Sequence, residues 1–211
     1  MTFSIILIGV LIILVTFNVG ESIYAKLGLK KKWLLILLIG TFALYFIPNL
    51  VIAGITFTWI GFFLPAIFSV IAILKVKNAK RYFKMFVALL IAFALNIIYN
   101  LITFDVYESA IFQPYLVLGL LLGTIPFVLT DTPQRLYASN FFGLIFAEIV
   151  FYMSRYSIYG EYYLYLGSRK VFETLLVAFV TSLITYYFAR KVRAILIKRK
   201  LAKREREKIT I

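Results

Sequence analysis

Glu148 and Glu173 are the two carboxylates that fall within the long apolar runs of this chain, and with Asn96 and Asn100 they could support chemistry inside a membrane. A charge at the centre of a hydrocarbon layer costs about 2.5–3.5 kcal/mol or more, so such groups face a cavity or find a partner, and they are functional candidates by default. For Glu148 a partner stands on the same helical face: Arg155 is seven residues on, about 20° around a helix, with Tyr152 between them. Glu173 follows Arg169 and Lys170 within one turn, close enough to pair with either or to reach the interface. Asn96, Asn100 and Thr103 fall within about 60° of one another on a helix, and buried amides must be satisfied by a neighbouring helix or by water. The spacing therefore defines a candidate ion- or substrate-binding set. Glu148 is the proton- or cation-responsive group, Arg155 its counter-charge, Asn96 and Asn100 are coordinating amides, and Glu173 lies near the outer mouth.

The chain has no Cys and no His. That removes thiol nucleophiles, disulfides, the usual zinc sites and every Ser-His or Cys-His pair, so no catalytic residue, metal ligand set or cofactor is expected. Two acids on late spans would suit a carboxyl dyad of the kind used by intramembrane aspartyl proteases. Both acids here are Glu, however, and the second sits in Lys170-Val-Phe-Glu173 without a Gly-x-Gly-Asp motif. Pro133-Gln134 matches the dipeptide of the Pro-Gln-loop carriers, but the corresponding gap Glu21–Lys32 has no such pair. No family is identified.

These groups must be positioned by membrane helices. Apolar residues make up 63% of the 211 and charged residues 15%, against about 45–50% and 25% in soluble domains. At roughly 20 residues per crossing, the apolar runs predict spans over 3–19, 33–49, 55–74, 83–104, 114–130, 137–154 and 171–189. Trp33 to Leu74 is uncharged and about twice the length of one crossing, with Pro48, Asn49 and Gly54 at its middle, so it is expected to fold back there. All Lys and Arg residues except Arg155, Arg169 and Lys170 lie in alternate gaps or in the tail from Arg190 to Lys208. Basic residues stay on the cytoplasmic side during insertion. The fold class expected is thus all-α, a polytopic transmembrane bundle of seven spans with the N-terminus outside and the C-terminus cytoplasmic. Residues 1–189 form the membrane domain and 190–211 a basic tail. The formal charge of +14 is explained by topology, not by nucleic acid, and Met1–Val19 is expected to remain as span one because it lacks a leader's basic start and A-x-A site.

Gly119 and Gly123 have the spacing that lets helix backbones approach closely, and Ser139, Gly143 and Ala147 repeat it in span six. Because Glu148 points away from that small-residue face, span six is expected to be central. Thr174, Ala178, Thr181, Ser182 and Thr185 share one side of span seven, and Tyr152–Tyr165 reads as an outer aromatic belt. The tail is expected to touch anionic lipid headgroups, with the bilayer and a membrane protein or a second copy as the other partners. These features fit a plasma membrane protein, with a composition rich in Ile, Phe, Tyr and Lys that suits an AT-rich prokaryotic genome. The function expected is a transporter or channel-like protein for a small solute or cation, using an intramembrane carboxylate. The alternative is a non-catalytic scaffold or assembly factor that binds other membrane proteins.

Overall fold

A computed structural model describes residues 3–19, 21, 30–52, 54–103, 114–130, 132–159 and 164–209. The described residues are mostly helical, 81%, and include seven α-helices: α1 (Phe3–Thr16), α2 (Lys31–Leu44), α3 (Leu64–Leu74), α4 (Ala79–Thr103), α5 (Pro114–Thr124), α6 (Pro133–Tyr159) and α7 (Arg169–Ile209). Three contain stretches long and apolar enough to cross a membrane, Ala79–Ile102, Pro133–Ser154 and Arg169–Arg193. The other four have 14, 14, 11 and 11 residues. At 1.5 Å per residue none exceeds about 21 Å, short of a hydrocarbon layer of about 30 Å.

Local chemistry explains where the short helices stop. Beyond α1, Asn18 takes a left-handed φ of 60°, and the Lys31 ammonium donates to the carbonyl of Thr16 at 2.9 Å, which pins the start of α2 beside the end of α1. Pro126 converts the end of α5 into a 3-10 turn, Pro126–Val128, because it cannot donate into the helix ladder. Pro65 likewise has no N–H for the Gly61 carbonyl, and the chain before it widens into a π-helical turn, Trp59–Phe63. By contrast α4 starts cleanly, with the Asn78 side chain accepting from the Lys80 amide at 2.9 Å, and runs 25 residues without Gly or Pro.

One element departs from the all-α expectation. The fold-back between α2 and α3 is a β-hairpin, β1 (Leu50–Ile52) and β2 (Ile55–Phe57), closed at Gly54 with φ 80°. β2 also pairs in parallel with β3 (Leu164–Leu166), Ile55 opposite Leu164 and Phe57 opposite Leu166, giving the order β1-β2-β3. Each strand has only three residues, too few for the alternation that marks strands in a sequence.

The core gathers around α6, half of whose apolar window is buried (50%), against 22% for α4, as its two polar faces require. Ser139 donates to the Met85 carbonyl on α4 at 2.9 Å, and Ala88, Ala92, Ala138 and Ala147 are fully buried. A Cβ added to Gly143 would lie 2.7 Å from Ala92 Cβ and 2.8 Å from the Leu89 carbonyl. Gly143→Leu is therefore expected to cost about 3 kcal/mol through overpacking, read as a lowered thermal midpoint of the detergent-solubilised protein. Gly119 and Gly123 on α5 make the same close approach to Thr174, Val177, Ala178 and Thr181 on α7. A second cluster, Ile8, Ile60 and Phe172 with Phe42 and Leu176, joins the α1–α2 hairpin to the π turn and α7.

The helix α7 is continuous for 41 residues, straight through Arg190. It contains no Gly or Pro, the usual causes of a sharp kink. No break separates the basic tail from the last apolar turn. The basic segment instead prolongs the helix, and the 16 residues after Arg193 add about 24 Å.

Candidate functional site

The site is built where two strand-to-helix transitions run side by side. After β2, Thr58 leads into the π turn; after β3, Gly167 and Ser168 lead into α7. Thr58 bridges the two: its N–H extends the parallel ladder by donating to the Leu166 carbonyl at 3.3 Å. Its hydroxyl donates to the Gly167 carbonyl and accepts from the Gly61 N–H. Such contact demands glycine on both sides, since a Cβ at Gly61 would overlap the Gly167 carbonyl, and Gly167 itself has φ 71°.

Glu148 closes this junction from α6. Its Oε2 accepts from the Gly167 N–H at 2.8 Å and its Oε1 from the Ser168 N–H at 3.3 Å. Ser168 caps α7 in turn, its hydroxyl accepting from the Val171 N–H at 3.4 Å. The carboxylate thus meets the electropositive start of a long helix, where orphan amides and the helix dipole stabilise an anion. Expected near the middle of its run, Glu148 stands about 22 Å along α6 from Pro133, level with the first turn of α7 beside Arg169 and Lys170.

The other described candidates do not converge on it. Arg155 lies in the helical part of α6, but its side chain is outside the described residues. Glu173 is buried, 5% exposed, and Arg169 Nε donates to its Oε1 at 3.3 Å, the pairing its spacing offered. Arg169 also stands 6.0 Å from the centre of the Tyr45 ring, which ties the end of α2 to the start of α7. Asn96 is buried and its Oδ1 accepts from the Asn100 amide at 3.1 Å, so one hydrogen bond links these two amides along α4. On α7, Ser182 donates to the Phe179 carbonyl at 2.7 Å and Thr185 to that of Thr181 at 2.9 Å, the back-bonding common for hydroxyls in apolar helices. The structure therefore separates the predicted set into a clasp at Glu148, an ion pair at Glu173 and an amide ladder on α4.

Several contributors escaped the sequence reading. Asn140 is 1% exposed and its amide donates to the Leu122 carbonyl on α5 at 3.1 Å; an amide inside an apolar run was the available signal. Gly167-Ser168 ahead of an apolar run is a helix-start signature, and it identifies the turn but not what docks on it. Thr58 and Gly61 carried no such mark. At the rim, Asn49 donates to the Tyr165 hydroxyl, and the Trp59 indole to the Pro48 carbonyl at 2.9 Å.

Fold and site define a mostly α-helical protein that has, among the described residues, three helices long and apolar enough to cross a membrane and one small sheet clasped to the last helix by an internal carboxylate. Comparison with known proteins gives no match, whether to a family model, a curated protein or a solved structure.

Proposed function

We propose that the chain is a non-catalytic membrane scaffold or assembly factor, crossing the plasma membrane seven times with its N-terminus outside and its basic C-terminal helix in the cytosol. The observation that carries this reading is that the polar groups best suited to ligate a solute are engaged by the protein itself. Glu148 holds two backbone amides, Glu173 holds Arg169 and Asn96 holds Asn100. Partners in such an arrangement fix helix positions. The long helix α7 supports the partner-binding part, because it carries basic residues well past its apolar turns on an element rooted in the core. Support for the topology comes from the alternation of basic gaps and from the Lys31 bond to Thr16, which holds the end of α1 beside the start of α2. The hairpin β1–β2 supports a full crossing by α2 and α3, since three residues of strand add about 10 Å to helices too short alone.

The test compares partner capture with transport. Cross-linked membranes should yield a membrane protein in stoichiometric amount with the full chain, and lose it when the chain is truncated after Arg193. Purified chain in proteoliposomes should show no saturable solute uptake. Uptake by the purified chain alone, abolished by Glu148→Gln, would replace this reading with that of a transporter.

A further inference from the structure

Six cations and a single acid, Asp131, occupy the two sequence gaps Lys75–Lys84 and Asp131–Arg135, and the fold gathers some of them around one closed cleft, which has no room for a water molecule as it stands. Arg81, Lys84 and Met85 line it from the first turns of α4, Leu129 and Thr130 from the turn that ends α5, and Arg135 from the first turn of α6. Thr130 is 4% exposed, and its Oγ1 is shut off from solvent without a hydrogen-bond partner. A buried hydroxyl left in this way is unfavourable, and a ligand oxygen accepting from it would relieve the cost. The first amides of α6 lack partners within the helix and add partial positive charge on the same side.

We propose that this cleft binds a phosphate group presented by an anionic phospholipid headgroup. Arg81, Lys84 and Arg135 are the counter-charges, and the Thr130 hydroxyl donates to a phosphate oxygen once the cleft opens by a side-chain movement. The cation-rich end of the bundle is where cytoplasmic headgroups lie if the topology proposed above holds, and basic clefts between membrane helices suit such headgroups. Lys84 and Arg135 already have interactions of their own, and Asp131 lies outside the described residues. The site therefore rests on the excess of cations over acids, not on any single free cation. It is distinct from the basic part of α7, which continues beyond the apolar turns and where Arg190, Lys191 and Arg193 are exposed.

Native mass spectrometry of the full chain, exchanged from phosphatidylglycerol vesicles into neutral detergent, reads the site directly. One retained phosphatidylglycerol is expected, with retention about tenfold weaker in Arg81→Gln and in Thr130→Val, as the loss of one good hydrogen bond implies. Arg190→Gln on α7 should leave retention unchanged. Thermal protection by millimolar inorganic phosphate, lost in the same two variants while no lipid is retained, would keep the phosphate site and assign it a free anion. Equal retention in the native chain and both variants overturns the proposal. So does a native chain indifferent to lipid whose Asp131→Asn variant becomes dependent on it, because the cleft would then be neutralised from within. A cysteine placed at residue 77 and labelled from each side of the membrane tests the topology independently.

Discussion

Gly167→Val is expected to leave no monodisperse protein after detergent extraction, the largest effect of any single substitution considered. Two costs combine at that position. Its φ of 71° lies in the left-handed region, where a β-branched side chain is strained by about 1–2 kcal/mol. The added Cβ would also stand at 2.5 Å from the Phe62 nitrogen and 2.7 Å from the Gly61 oxygen. Those atoms are backbone, so the clash cannot be relieved by a rotamer change, and separating the two turns would break the Thr58 bonds to Gly167 and Leu166 and draw the Gly167 amide off Glu148. Overpacking costs typically about 1–3 kcal/mol on its own, and with strain and lost hydrogen bonds the sum approaches the whole stability of a typical domain, about 5–15 kcal/mol. Gly167→Ala should behave similarly with a smaller loss of yield. The control is Gly9→Ala, since nothing lies within 4 Å of a Cβ there and alanine is the better helix former. Size-exclusion profiles and thermal midpoints of the three variants give the comparison, and normal yield of Gly167→Val would show that the two turns do not meet as described.

What could be read from the sequence divides along the range of the interactions concerned. Positions of the apolar runs, the small-residue faces of α5 and α6 and the central place of α6 follow from residues on one helix, where spacing fixes direction. Pairs within a helix were equally accessible: Asn96 with Asn100, and Arg169 with Glu173, are four residues apart and bond as their spacing allows. Glu148 shows the limit. The same logic offered it Arg155, whose side chain lies outside the described residues, and it could not offer the partners the structure gives, the amides of Gly167 and Ser168 about twenty residues away. Backbone amides are identical in every sequence, so no residue type announces them. The sheet was hidden for a related reason, since three-residue strands leave no periodicity and pair through backbone groups alone. The local geometry at Pro65 and Pro126 was hidden too, because a proline signals an interruption without saying whether the chain kinks, tightens or widens.

Glu148→Leu is expected to destabilise the protein by about 3 kcal/mol, the order measured when buried polar groups lose a charged partner. Leucine fills much the same volume, so the loss comes from the orphaned amides of Gly167 and Ser168 at the start of α7 and not from a cavity. Glu148→Gln should cost less, about 1–2 kcal/mol, because its carbonyl oxygen still accepts one amide while its NH2 group is a donor facing donors. The order Glu, Gln, Leu in thermal midpoint is the first readout. A second separates a structural clasp from a solute-binding carboxylate: Glu148→Ala opens a space of carboxylate size against two inward-facing amides, and a helix start of this kind accepts small anions. Formate added to that variant should raise its thermal midpoint, whereas formate added to Glu148→Leu, whose side chain occupies the space, should not. A carboxylate serving only as a cation ligand would give the opposite pattern, with Glu148→Leu as stable as the native chain because removing an unclasped charge from an apolar setting relieves desolvation. The sign of that single stability change decides between an α7 held in place through Glu148 and an α7 that merely passes beside it.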